Sequence, residues 1–178
     1  MNYENILFLD IDGVVNTVMI YDEPQESSGS CIERDGYYFE LCHPEDKKVS
    51  NKQAMLWVSK LCTDYDLSIV ITSTWLASAS YKEIAEFLYS SGLNRRVEVI
   101  GGIPTDFTCC RGVNIENWMK ENDVHTYTHN IVILDDDSDM VGIDKDYSDY
   151  LIRCDNVVGF TQREYIKASE LLDKQMDY

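Results

Sequence analysis

The chain predicts an α/β fold, a Rossmann-like three-layer sandwich on a mainly parallel five-stranded sheet, from three observations. Short apolar runs rich in β-branched residues recur five times, and segments with helical spacing lie between them. The 178 residues, 44% of them hydrophobic, are enough to bury one core of ordinary domain size. Strands alternating with helices need crossover connections, hence parallel strands with helices on both faces.

The first strand is Ile6 to Leu9, apolar at every position, as expected of a strand buried on both sides. The polar section from Thr17 to Pro44 breaks the rhythm and holds two of the three prolines. Its ERDGYYFELC reads as a short hairpin turning at Asp35 and Gly36. We expect one domain over 1–178, with this section as a minimal cap or flap insertion at about 17–48.

A helix follows over about Asn51 to Tyr65, because Met55, Val58, Leu61, Cys62 and Tyr65 recur at three and four and form one stripe. Leu67 to Ile71 is the second strand. Ser80 with Glu83 forms a capping box for the next helix, Ile84, Phe87 and Leu88 give its buried face, and Gly92 stops it. Val97 to Ile100 is the third strand, and Ile115, Trp118 and Met119 mark the third helix. Ile131 to Leu134 and Tyr150 to Cys154 complete the sheet. Thr161 with Glu164 caps a last helix carrying Tyr165, Ala168, Ser169 and Leu172.

Charge and cysteine content narrow the function. A formal charge of −17 repels nucleic acid phosphates and anionic membranes, so an extended polynucleotide groove is not expected. No apolar run has signal-peptide or membrane-spanning length, and a soluble cytoplasmic protein is expected. The six cysteines contain no CxxC and imply no disulfide framework. A zinc site from Cys109, Cys110, His125 and His129 is disfavoured because the cysteines are adjacent rather than two to four apart.

In a parallel α/β sheet, residues just after the strands become neighbours at one rim. Those strand ends carry Asp10 and Asp12, Thr72 and Ser73, and Asp135 and Asp136. Carboxylates crowded there would repel by about 4 kcal/mol per pair at 4 Å with an effective dielectric near 20. A hard divalent cation relieves this, and Mg²⁺ suits a site that leaves room for water and phosphate oxygens. The plain alternatives are a surface turn with Asp10 and Asp12 capping amides, and a solvated acidic loop at 135–139. A calcium loop on Asp135, Asp137 and Asp139 fails where Met140 replaces the needed Gly and Asp146 the Glu.

FLDIDGVVN, IVITSTW and ILDDDSDM, in that order, resemble the hallmark motifs of the haloacid dehalogenase (HAD) superfamily of phosphotransferases. VSKLCTDYDLSIVITSTW, GGIP, RGVNIENWMKEN, ILDDDSDM and NVVGFT are further similar to a small subfamily of phosphatase-like domains found alone or beside RNA-repair modules. The similarity covers about Asn5 to Leu172 and is least within Thr17 to Pro44. It implies a Mg²⁺-dependent phosphatase that hydrolyses a phosphomonoester, a nucleotide or other small phosphate, through an aspartyl phosphate. Polynucleotide end processing, a catalytically weak nucleotide binder and a phosphoacceptor module are the alternatives.

By the same resemblance, Asp10 is the nucleophile and Asp12 the acid and base. Mg²⁺ is held by the Asp10 carboxylate, the Asp12 carbonyl and Asp136, with Asp135 as ligand or just behind. Thr72, or Ser73, donates to a phosphoryl oxygen, and Gly13 lets the backbone bend. Arg111 supplies the fixed cation, in competition with Lys47, Lys48, Arg95 and Arg96. Asp139 orients the loop or is a solvated acid. One departure stands out: relatives read SSWR where this chain reads STWL, so Leu76 replaces an arginine. Trp75 is a core or rim residue or, less readily, a platform for a base.

Overall fold

The computed structural model describes residues 4–17, 19–21, 31–34, 37–40, 51–104 and 108–177. Five strands, β1 (Asn5–Leu9), β5 (Ser68–Ile71), β6 (Val99–Gly102), β7 (Asn130–Asp135) and β8 (Leu151–Arg153), form one sheet. Its order is β6-β5-β1-β7-β8, and every pairing is parallel. Among the described residues four α-helices accompany it: α1 (Lys52–Asp64), α2 (Tyr81–Ser90), α3 (Arg111–Glu121) and α4 (Gln162–Met176). The expected α/β Rossmann-like architecture is present, with the sheet wholly rather than mainly parallel.

Alternation along the central strands divides the core in two. Leu7, Leu9, Ile69, Ile71, Val132 and Leu134 pack with Met55, Val58 and Leu61 of α1, Ile84 and Leu88 of α2, and Ala168 and Leu172 of α4. Ile6, Phe8, Val70, Ile131 and Ile133 pack on the other face with Ile115 and Met119 of α3. Helices thus cover both faces, which is why β1 is apolar at every position after Asn5. Asn51 caps α1 by accepting from the amides of Gln53 and Ala54. The Ser80–Glu83 capping box forms, and Gly92, at φ +117°, follows the end of α2.

Two expectations shift. The third strand runs over Val99–Gly102 rather than Val97 to Ile100, so the two glycines are strand residues. A Cβ on Gly102 would sit 2.9 Å from Leu76 and 3.0 Å from Tyr81, and Gly101 lies under the Trp118 indole. Close packing, not a turn, explains the pair. Among its described residues the insertion has a third strand beside the expected hairpin: β2 (Met19–Tyr21), β3 (Cys31–Arg34) and β4 (Tyr37–Glu40) are antiparallel in the order β2-β4-β3. Arg34 pairs with Tyr37, as the expected hairpin requires, while its turn at Asp35 and Gly36 lies outside the described residues.

The chain leaves β1 for β5 and β6 on one side and returns to β7 on the other. The order therefore reverses between β1 and β7, and the crevice outside their carboxyl ends is the topological switch point.

Candidate active site

Each strand's ladder carries on into the residue that follows it. The Asp10 amide donates to the Leu134 carbonyl at 3.0 Å, Thr72 to Leu9 at 2.9 Å, and Cys154 to Asp135 at 2.8 Å. These bonds bring Asp10, Thr72, Ser73, Asp135 and Asp136 to one rim. Asp10, Asp135 and Asp136 can each offer an oxygen within 4.8 Å of the others, and among the described residues they are the one such group.

Arg111 joins them from the first residue of α3. Its Nη1 lies 3.5 Å from Asp10 Oδ1, its Nε 3.1 Å from Asp135 Oδ2, and Nη1 also donates to the Thr72 carbonyl. A cation at a helix N-terminus opposes the macrodipole, so the two acids hold it there against local preference. The α3 start is fixed by Asp139, whose carbonyl accepts from Gly112 N at 3.0 Å and whose carboxylate accepts from Arg111 N at 3.4 Å. Gly112 packs so tightly on the loop after β7 that a Cβ would lie 2.2 Å from the Met140 carbonyl oxygen.

Three carboxylates and one guanidinium leave a formal −2, which one divalent cation would neutralise. Burial pushes Asp10 up from 3.8 to about 6, against the opposing pull of Arg111 and a hydrogen bond from Ser73. Burial, with the charge of Asp10, pushes Asp135 up to about 7. Asp136 is raised as well, chiefly by burial.

Among the described residues, two buried atoms at the rim find no hydrogen bond: Thr72 Oγ1 and Asp135 Oδ2, the latter touching Arg111 without hydrogen-bond alignment. Orphaned buried polar atoms are costly, so their convergence marks a place built for a ligand. An all-oxygen donor set that includes a carboxylate oxygen without a hydrogen bond fits a hard cation such as Mg²⁺.

The nearby backbone is shaped to match. Gly13 takes φ +74°, and a Cβ there would come within 2.4 Å of the Asp136 side chain. Asp12 is held by Asn16 Nδ2 on Oδ1 at 2.6 Å and by the Trp75 indole on Oδ2 at 2.9 Å.

All eight residues expected at the site therefore lie at this rim or next to it. Of the competing cations, Arg95 pairs with Glu86, and Arg96 lines a cavity with Asn5 and Ser68 at the opposite ends of the strands. Lys47 and Lys48 lie outside the described residues. The zinc alternative does not assemble: the His129 ring engages His125 and Thr128, and Cys109 meets Asn114. Trp75 packs on Phe87 with its N–H on Asp12, which makes it a partner of an acid rather than a platform for a base. Its role and that of Asn16 were missed, because nothing in the sequence pairs an indole with an acid 63 positions away. Beside Asp136 a cavity of about 390 Å³ opens, bordered by Arg153, Arg163, Lys167, Asp155 and Glu164.

A parallel sheet with an acid nest and a strand-terminal Thr at its switch point defines a HAD-like domain. The family model of the HAD domain in Swiss Army Knife RNA repair proteins matches residues 6–165, and the chain belongs to that family. A comparison with curated proteins finds no match. Membership points to a HAD-type hydrolase or a role in RNA repair, in a family that usually uses a metal ion. No helix among the described residues is long and apolar enough to cross a membrane.

Proposed function

We propose that this protein is a Mg²⁺-dependent phosphatase that hydrolyses a phosphomonoester through an aspartyl phosphate on Asp10. The observation that carries the reading is the meeting of the buried Asp10 and Asp135 and the half-buried Asp136 with Arg111 and the unpartnered Thr72 hydroxyl.

Asp10, Asp135 and Asp136, with the Asp12 carbonyl, would hold the ion. Bound there, Mg²⁺ supplies positive charge for the acids and for phosphoryl oxygens. The chain's own residues do the rest. Asp10 attacks phosphorus, and its carboxylate is oriented by Ser73. Thr72 Oγ1, free of other partners, donates to a phosphoryl oxygen. Arg111 is the fixed cation for the charge spread over the equatorial oxygens. Asp12 protonates the leaving oxygen and then takes a proton from the water that releases phosphate.

The substrate is a small phosphorylated molecule such as a nucleotide, and the cations around the cavity beside Asp136 suit its non-transferred part. The family's description favours a second reading, removal of a phosphate from an RNA end. The −17 charge weighs against a long polynucleotide contact. Cys62, Cys110 and Cys154 are free thiols, which suits cytoplasmic residence.

Incubation with p-nitrophenyl phosphate and a nucleotide panel, with Mg²⁺ or EDTA, tests the reading. Turnover that needs Mg²⁺ and disappears in Asp10→Asn is expected. Release of phosphate at the same rate from Asp10→Asn as from the parent would overturn it.

A further inference from the structure

Asp12 is gripped on both oxygens by uncharged donors from two separate elements. Asn16 reaches Oδ1 from the turn after β1, and Trp75 reaches Oδ2 from the 3-10 turn after β5. Each donor is itself fixed. The Asn16 amide donates to Ile11 at 2.8 Å, and its carbonyl accepts from Gly13 at 2.8 Å. The Trp75 ring packs on Phe87 with centroids 5.1 Å apart, and its backbone amide donates to Ser73 Oγ at 3.4 Å. Ser73 in turn bonds to Asp10, so one tryptophan ties together the two acids of the first motif.

We propose that Trp75 and Asn16 are positioning residues that hold the Asp12 carboxylate for proton transfer to and from the oxygen leaving phosphorus. This rests on the phosphatase reading above. An indole N–H donates and never accepts, so it fixes the carboxylate without competing for its proton. Each Asp12 oxygen keeps a second lone pair, and rotation of the carboxylate would break one or both bonds. The carboxylate therefore presents its remaining lone pairs in one orientation.

The steps balance. An Asp10 oxygen bonds to phosphorus as the ester P–O bond breaks, and the departing oxygen takes the proton from Asp12, leaving a free alcohol. Water then attacks phosphorus and gives a proton to Asp12, while the bond to Asp10 breaks and inorganic phosphate leaves. Directed protonation matters most when the leaving alcohol is a poor one, as a sugar hydroxyl is. The clamp thus points to esters of unactivated alcohols as the substrates of this site.

The test measures kcat/KM, with Mg²⁺ present, across aryl phosphates from p-nitrophenyl phosphate to phenyl phosphate. It compares the parent with Trp75→Phe, Asn16→Ala and Asp10→Asn. Trp75→Phe keeps an aromatic ring against Phe87 and removes the donor. General acid catalysis contributes about 10²- to 10⁴-fold, so part of it, about 10- to 100-fold, should be lost on phenyl phosphate and under about threefold on p-nitrophenyl phosphate. The plot of log kcat/KM against leaving-group pKa then steepens. Asn16→Ala should steepen it in the same direction, and decides the matter if Trp75→Phe does not fold. An equal loss along the whole series, or none, overturns the inference and leaves the phosphatase reading standing. An inert parent overturns both, while an inert Asp10→Asn beside an active parent upholds the reading on which the clamp depends.

Discussion

Stripping divalent ions should make this protein less stable as pH rises from 5 to 8, the reverse of ordinary acid denaturation. Burial raises Asp10 to about 6 and Asp135 to about 7, from 3.8. A carboxyl raised in this way binds its proton more tightly in the folded chain. Its contribution is complete below the unfolded value near 3.8 and is lost as pH climbs through about 6 for Asp10 and about 7 for Asp135. At 1.36 kcal/mol per pKa unit, the part lost above pH 5 is about 1 kcal/mol for Asp10, between pH 5 and about 6, and about 3 kcal/mol for Asp135, between pH 5 and about 7. The two acids share one field, so their effects do not add, and about 3 kcal/mol serves for the pair. For a chain of this size that is roughly 6 to 12 °C in Tm. Exposed acids such as Asp64 and Asp146 have lowered pKa values and act below this window. Circular-dichroism melts from pH 5 to 8 in EDTA should show the fall. Mg²⁺ should restore stability most at pH 8, where the carboxylates are ionised. Asp10→Asn should flatten the EDTA profile and be the more stable protein at pH 8. A parent Tm in EDTA that rises with pH, or a Mg²⁺ effect as large at pH 5 as at pH 8, would refute the reasoning.

Three substitutions probe the same rim. Thr72→Val removes a buried hydroxyl that has no partner and should raise metal-free stability by about 1 kcal/mol. It should also lower kcat about tenfold or more, so melting and turnover move in opposite directions. Arg111→Lys keeps the charge but loses the planar fork that reaches Asp10, Asp135 and the Thr72 carbonyl. A fall in kcat of about 10²-fold, with Mg²⁺-dependent stabilisation retained, is expected in single-turnover assays and melts. Gly112→Ala forces a methyl against the Met140 carbonyl and should cost about 1–3 kcal/mol in a urea titration.

The central strands were legible because burial on both faces leaves uninterrupted apolar runs, as in Ile6–Leu9 and Ile131–Leu134. The acids could be placed because a strand end is also a site edge in this architecture. The register of β6 was not legible, since it depends on Leu76, Tyr81 and Trp118 closing over two glycines that a turn would use equally well. The three-residue β2 is too short to carry a period. Arg111 followed from the family motif, whereas its placement depends on Asp139 and Gly112, which are joined only in the folded chain. Asn16 lies four residues from Asp12 and reads as an ordinary turn residue.

The rungs that bind Asp10 to Leu134, Thr72 to Leu9 and Cys154 to Asp135 mean that the main chain beneath the chemistry belongs to the sheet's own lattice. Its amides can meet solvent deuterium only when neighbouring strands part. The floor of the crevice is therefore as rigid as the fold itself, and accommodation of differently shaped molecules falls to the side chains around its mouth.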